Sequence, residues 1–310
     1  MRTKEILPLL AAVVLAGCEL TEVVVAEPDP LVVAEIYLRV TDDESDALAL
    51  LHQSRSREPI PLGDVVIQLR SAEGGEATFE SAALAGCVEG PVPPEFDGAC
   101  YRLSPAQAAF IRPGGRYDVE LRLPEGGRME GSVTLPGDFV ITSPARTDVT
   151  CRIPPHTLLP VRWTEATGAR AYVPEAEIFG LEAALAPSGI EVPSDPLVLL
   201  GLSVSETDTD IVFPSQFGIF NRFSRDQDVL LAIQTGLPST SRVQGRITVS
   251  AQGRNAVNWN RGGNFNPSGA VRTPSLFGDG TGVVAGVVNR TFAFTTEGSF
   301  GTPACLPAGS

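Results

Sequence analysis

The sequence predicts an all-β protein built as two tandem β-sandwich domains. Three observations support this prediction: short Val, Ile and Leu runs recur along the 310 residues, 31 glycines and 26 prolines separate them, and several runs alternate apolar with polar residues. Glycine and proline between short apolar runs are typical of turns between strands. Because 43% of the residues are apolar and 19% are charged, we expect a globular core.

The first 17 residues have the form of an export signal. A short basic segment, Met1 to Lys4, precedes an apolar run at residues 6–17. A membrane-spanning helix needs about 20 apolar residues, so this run is too short to span a bilayer. It matches the apolar core of a secretory signal peptide, which the mature protein lacks. The run ends in "LAGC", residues 15–18, where an ordinary signal peptide has an A-x-A-like site.

The segment "LAGC" resembles the lipobox of bacterial lipoproteins. The resemblance implies that the Cys18 sulfur receives a diacylglyceryl group, that residues 1–17 are removed, and that the new amino terminus is acylated, with palmitate as a typical chain. Several acyl chains anchor a protein stably, and residues 18–30 are expected to form the tether. Glu19 replaces the Asp that marks inner-membrane retention in many Gram-negative bacteria, which favours the outer membrane. An ordinary signal peptide with a chance cysteine is the alternative.

The first domain is predicted at residues 31–145. The acidic and then Arg-rich stretch at residues 42–61 is expected to form a long loop. Ser104, followed by Pro105 and by Gln107 at the capping-box spacing, predicts one short helix. Apolar residues alternate with polar ones from Tyr117 onward, the period of a half-buried strand. The strand candidates are "LVVAEIYLRV", "GDVVIQLRS", "ATFESAAL", "GRYDVELRLP" and "RMEGSVTLPG".

The second domain is predicted at residues 150–310, after a proline-rich junction at 136–155. Trp163, Gly168, Ala169 and Tyr172 resemble the start of a fibronectin type III domain, in which a strand with a buried Trp leads through a turn into a strand with Tyr. The resemblance implies an immunoglobulin- or fibronectin-like sandwich, and a bulky insert at 180–225 departs from it. The segments "DVLLAIQTGLP" and "RVQGRITVSAQG" continue the β pattern.

The cysteine count fits an exported chain. Without Cys18, four cysteines remain, an even number that suits an oxidising compartment. Three pairings are possible. We favour Cys87–Cys100, which closes a short Pro/Gly loop, and Cys151–Cys305, which ties the start of the second domain to the carboxyl tail.

Sites for metal ions, cofactors or catalysis are not expected. Zinc sites use closely spaced cysteine pairs, which this chain lacks, and the two histidines, His52 and His156, are interpreted as loop or linker residues. A G-x-S-x-G elbow is absent. The glycines of "GDGTGVVAG" stand between strand patterns and not before a helix, which argues against a phosphate loop. Two carboxylate pairs suit solvated turns better than calcium: Asp208 with Asp210, and Asp226 with Asp228.

Residues 255–269, "NAVNWNRGGNFNPSG", form the most interesting polar stretch. Aromatic faces flanked by amides suit a sugar or peptide ligand, and an exposed Trp259 would favour that function. The alternative is a long connection in which Asn and Gly satisfy the backbone. The candidate ligand residues are Asn258, Trp259, Asn260, Arg261, Asn264 and Phe265.

Two β domains behind a lipobox also resemble a group of uncharacterised bacterial envelope lipoproteins. The stretch at residues 264–288, rich in Asn and Gly before a glycine-containing strand, carries this resemblance. Such proteins are often encoded near TonB-dependent outer-membrane receptors, which implies an accessory role. The group supplies no catalytic residues.

These observations predict a non-catalytic, lipid-anchored protein of the cell envelope that serves an outer-membrane partner. A net charge of −14 argues against nucleic acid as a partner, because a polyanion is repelled by phosphate backbones. A carbohydrate- or peptide-binding module that uses residues 255–269 is the alternative. A hydrolase with an unrecognised site is a third hypothesis.

Overall fold

The computed structural model describes residues 31–53, 61–88, 96–145, 147–203, 205–219, 226–238, 242–261, 272–297 and 301–305, with the backbone alone at 125, 226 and 261. Most of the regular structure in these ranges is β, which confirms the all-β prediction. The predicted signal peptide, Cys18 and the tether lie outside the described residues. None of the described helices is long and apolar enough to cross a membrane.

The strands are β1 (Val32–Val40), β2 (Ser45–Gln53), β3 (Val66–Ser71), β4 (Glu76–Thr78), β5 (Glu80–Ala82), β6 (Gly98–Leu103), β7 (Arg116–Arg122), β8 (Arg128–Thr134), β9 (Ile141–Ser143), β10 (Cys151–Arg152), β11 (Leu159–Trp163), β12 (Ala171–Phe179), β13 (Leu197–Leu200), β14 (Asp210–Phe213), β15 (Gln244–Gln252), β16 (Leu276–Gly278) and β17 (Gly280–Thr295). The α-helices are α1 (Pro105–Ala108), α2 (Leu181–Leu185), α3 (Asp226–Ile233) and α4 (Arg254–Arg261). Single 3₁₀ turns lie at Leu62–Asp64, Leu84–Gly86, Pro124–Gly126 and Ala186–Ser188.

The long strand β17 organises the larger of two sheets. That sheet runs in the order β4-β3-β7-β8-β16-β17-β1-β2-β6-β5, and β15, β12 and β13 extend from β17 by a second path. The first part of β17 runs parallel to β1, with Val32 opposite Gly280, and the later part runs antiparallel to β15, with Gln244 opposite Thr295. The division at residues 145–150 stays a prediction, and β17 pairs with strands from both sides of it.

Close packing between β1 and β17 depends on a glycine. Gly282 has a φ of +150°, and a Cβ there would collide with the carbonyl oxygen of Ala34. Residues on either side of this contact are buried, since β1 alternates buried and half-buried positions and Val283 and Val284 are fully buried. The absence of a side chain at 282 therefore lets two central strands approach.

Several elements match their sequence predictions. The β7 residues Tyr117, Val119 and Leu121 point into the core as the alternation predicts. Helix α1 has the predicted capping box, because Gln107 N–H donates to Ser104 Oγ and the Gln107 side chain accepts from Ser104 N–H. Pattern and capping chemistry agree at these positions, so the local prediction is confirmed.

Three local predictions are wrong. Residues 45–53 form β2 instead of a loop, because a Thr41-centred turn folds the chain back on β1 and buries Ala47, Ala49 and Leu51. Residues 226–233 form helix α3 instead of a strand. Residues 254–261 form helix α4 instead of an irregular connection. The apolar run of α3 contains Leu230, Leu231 and Ala232, which are good helix formers, so it suits a helix as well as a strand. In α4, packing against the sheet outweighs the weak helix preference of the Asn residues.

Trp163 and Tyr172 pack as the sequence predicts for a strand–turn–strand unit. Their rings are 5.4 Å apart between centroids, and the Tyr172 hydroxyl accepts from Ala166 N–H in the intervening turn. Gly168 adopts a φ of +78° in that turn, a conformation that L side chains rarely adopt. The likeness to fibronectin type III domains stays a prediction.

Candidate functional site

Both favoured disulfides are present, which confirms the pairing. Cys87 and Cys100 are bridged with their Cα atoms 5.7 Å apart, and Cys151 and Cys305 with theirs 5.0 Å apart. Cys151 stands on β10 beside β17, and Cys305 N–H donates to the Arg152 carbonyl. The second bridge therefore attaches the carboxyl-terminal segment to β10, which pairs with β17.

Helix α4 holds the predicted ligand residue Trp259 against the outer face of the sheet. Only 5% of Trp259 is exposed, and it packs with Ala256 against Val283, Ala285 and Val287 of β17. Its indole N–H has no hydrogen-bond partner among the described residues. The exposed indole that would favour ligand binding is therefore not found.

The other residues of the predicted ligand stretch are dispersed. Asn258 is half-buried and Asn260 is exposed on α4, while Arg261 is described by its backbone alone. Asn264 and Phe265 lie outside the described residues. Binding by residues 255–269 stays a prediction.

A polar network beside Trp259 joins three distant parts of the chain. Glu35 Oε2 accepts from the Tyr37 hydroxyl at 3.0 Å, and Glu35 Oε1 accepts from Arg272 at 3.1 Å. His52 Nε2 lies 3.9 Å from the same Oε1. The Arg272 guanidinium lies 4.9 Å from the Trp259 ring centroid. The sheet places Glu35 and Tyr37 together because alternate residues of a strand share a face.

The electrostatics of this network shift the pKa of two side chains in opposite directions. Burial raises the pKa of the Glu35 carboxyl, but contacts with His52 and Tyr37 and the charge of Arg272 outweigh burial and leave that pKa below its usual value. Burial and the adjacent Glu35 carboxylate raise the pKa of Tyr37 above its usual range. Both Glu35 oxygens have donors, so the network suits attachment of α4 and Arg272 to the sheet better than proton transfer.

A second polar region is a groove of about 650 Å³ on the solvent face of β3, β7, β8 and β16. At its centre Glu120 forms ion pairs with three arginines: Arg70 at 3.3 Å, Arg122 at 2.9 Å and Arg128 at 3.4 Å. The pKa of the Glu120 carboxyl lies below its usual value, and the hydrogen bond from Arg122 is the largest cause. The arginines also offset the repulsion between Glu120 and Glu130, which oppose each other across β7 and β8.

An aromatic side chain lies on the same groove. Phe277 on β16 is 59% exposed and stands opposite Glu130 of β8 in the strand register. A charged floor with one exposed ring can take a polar ligand that also has an apolar face, such as a sugar or a peptide.

The remaining sequence candidates do not converge. His156 is exposed in a turn with a φ of +55°, and its backbone N–H donates to the Leu237 carbonyl. Asp210 begins β14, Asp228 lies on α3, and Asp226 is described by its backbone alone. Within the described ranges no three His, Cys, Asp or Glu side chains are placed to hold a metal ion. The "GDGTG" segment joins β16 to β17, so it leads into a strand.

Sequence reasoning missed Glu35, Tyr37 and Arg272, and it placed His52 in a loop. The alternation of Glu35, Tyr37 and Arg39 in β1 is a signal that could have put them on one face. The approach of Arg272 has no sequence signal, because 237 residues separate it from Glu35.

The fold and its bridges define a mostly β, disulfide-bonded protein. No family model matches the chain. No curated protein matches it either. Among solved structures, it is similar to a DUF4785 family protein from Legionella pneumophila, at 10% identity and a TM-score of 0.21. The alignment covers 70% of this chain and 51% of that one, so this chain spans about half the length of that structure. At this TM-score the likeness carries no functional argument.

Proposed function

We propose that this protein is an exported, lipid-anchored envelope protein with a non-catalytic accessory role toward an outer-membrane partner. The "LAGC" segment at residues 15–18 carries the proposal, since it combines small residues before a cysteine with a preceding apolar run. The partner we propose is an outer-membrane protein such as a TonB-dependent receptor.

The cysteine chemistry supports export. Two disulfides account for Cys87, Cys100, Cys151 and Cys305 and leave Cys18 as the odd cysteine. Disulfides persist in oxidising compartments and are rare in the cytosol. An exported chain with one unpaired cysteine directly after a signal peptide suits lipid attachment at that cysteine.

The test is mass spectrometry of the mature amino terminus after expression of the full chain in a Gram-negative host. We expect a chain that begins at an acylated Cys18, and we expect Cys18→Ser to remain uncut and unacylated. An uncut natural chain with a free Cys18 would overturn the proposal.

Membrane fractionation tests the location. We expect the natural chain in the outer-membrane fraction, and Glu19→Asp in the inner-membrane fraction. Pull-down of the natural chain from the outer membrane, with Cys18→Ser as the control, then identifies the partner. Recovery of both variants in one fraction would contradict the proposed sorting.

The groove beneath Phe277 favours a second candidate function, binding of a sugar or a peptide. Arrays of envelope glycans and peptides test it with the natural chain and Phe277→Ala. Phe179→Ala is a matched control, since Phe179 is a similarly exposed ring on β12. We expect Phe277→Ala to weaken binding and Phe179→Ala to leave it unchanged, and undiminished binding by Phe277→Ala would contradict a role for this ring.

A further inference from the structure

We propose that Arg116, Arg170 and Arg254 form a binding site for a phosphate or sulfate group. All three line one cavity of about 480 Å³, which lies between β7, β8, the turn before β12 and the start of α4. None of the described residues that line this cavity is an Asp or a Glu. The chain as a whole is acidic, with 37 acidic and 23 basic residues, whereas the described charged residues that line this cavity are all arginines.

The three arginines differ in their ion pairing, and Arg254 also lines the adjoining cavity that contains Glu206. Among the described residues Arg116 and Arg254 have no ion-pair partner, and both are exposed on the cavity. Arg170 pairs with Glu206, which lines the adjoining cavity. Neighbouring like charges raise the local potential, and an anion that binds among them lowers it.

Backbone contacts bring the segments that carry the arginines together. Arg170 N–H donates to the Gln252 carbonyl at 2.8 Å, which brings the turn before β12 next to the first residues of α4. Arg116 stands opposite Thr134 in the register of β7 and β8, so the two side chains share a face. These contacts fix the backbone positions from which Arg116 and Arg170 reach the cavity.

The other lining groups indicate the class of ligand. Ser132, Thr134 and Thr167 place hydroxyl groups on the cavity. Guanidinium groups form paired hydrogen bonds with phosphate and carboxylate oxygens, and hydroxyl groups can donate to further oxygens. A tetrahedral dianion uses several donors from different directions, so the set suits phosphate or sulfate better than a single carboxylate. The source is either a free ion or a group on a glycan or lipid.

Calorimetric titration of the full chain at constant ionic strength tests the site. We expect saturable binding of inorganic phosphate and of sulfate, with acetate much weaker. Arg116→Gln and Arg254→Gln should each weaken phosphate binding about tenfold, as expected for loss of a charge-assisted hydrogen bond. Glu206→Gln should tighten binding, because it releases Arg170 from its ion pair.

Arg162→Gln is the matched control. Arg162 is also exposed, but it lies on β11 in the other sheet. The Arg162→Gln variant should therefore leave phosphate binding unchanged. Circular dichroism should show that every variant keeps the β fold. Absence of saturable phosphate and sulfate binding, or equal losses in Arg162→Gln and Arg254→Gln, would overturn the proposal.

Titration with glucose 6-phosphate and with detergent-dispersed phosphatidic acid distinguishes a glycan source from a lipid source. Tighter binding of either than of inorganic phosphate assigns the source, and equal binding assigns the free ion. The site does not depend on Cys18, so the lipid-anchor proposal can fail without affecting it.

Discussion

Arg272 covers the indole of Trp259, with its guanidinium carbon 4.9 Å from the ring centroid. The same guanidinium donates to Glu35 on β1. One arginine thus joins an apolar contact on helix α4 to an ion pair on the sheet. This arrangement explains why a polar, Asn-rich helix stays attached to β17: its single large apolar side chain is enclosed from above as well as below.

We expect Trp259→Ala to destabilise the protein by about 3–5 kcal/mol, the usual cost of removing a large buried aromatic side chain. Urea unfolding of the full chain measures this change. Phe277→Ala is the control, and it should change the free energy of unfolding by less than about 0.5 kcal/mol because Phe277 is largely exposed. Similar losses in the two variants would contradict the packing of α4.

The lowered pKa of Glu35 predicts a pH-dependent contribution to stability. A carboxyl with a lower pKa in the folded state binds fewer protons there than in the unfolded chain, so stability rises with pH. The contribution is present above the usual glutamate pKa of about 4.3 and is lost as pH falls through the lower folded value.

Urea unfolding between pH 3 and 7 tests this effect. Glu35→Gln should flatten the acid limb of the stability curve, whereas the exposed control Glu73→Gln should leave it unchanged. An acid limb in Glu35→Gln as steep as in the natural chain would show that the network does not hold Glu35 ionised.

The two disulfides should differ in their effect on stability. By the loop-entropy model, a bridge contributes more when it closes a longer loop, about 5 kcal/mol for a separation of 154 and about 3 kcal/mol for a separation of 13, as upper values. We therefore expect Cys151→Ser with Cys305→Ser to lower the unfolding free energy more than Cys87→Ser with Cys100→Ser. Peptide mapping without reductant provides the control, since each double variant should retain the other bridge.

Gly282→Ala should destabilise the β1–β17 pair by about 2 kcal/mol or more, because the new Cβ meets the Ala34 carbonyl oxygen at a positive φ. Thermal unfolding measures the effect. Gly63→Ala is a suitable control, since a Cβ at Gly63 has nothing within 4 Å. A Gly282→Ala variant as stable as Gly63→Ala would show that β1 and β17 can accommodate the added Cβ with no loss of stability.

Sequence patterns predicted the elements whose signals are local. The alternation from Tyr117 gave β7, the Ser104–Gln107 capping box gave α1, and an even cysteine count with loop lengths gave both disulfides. Helix α4 escaped prediction because its Asn-rich residues favour turns, and contacts with the sheet outweigh that preference. These contacts are the packing of Ala256 and Trp259 on β17 and the hydrogen bonds from the Asn255 side chain to the Ser132 and Val284 carbonyls.

The sequence by itself determined the all-β class, the even set of four cysteines and the candidate lipid-attachment site, because each depends on residue types at short range or on a count. It favoured one of three cysteine pairings, and the structure confirmed that pairing. Only the tertiary structure decided which polar residues meet. Glu35 and Arg272 are 237 residues apart in the chain, and Arg116, Arg170 and Arg254 come from three separate segments. Strand register and the position of α4 bring these groups together, and neither is encoded in any one stretch of the sequence.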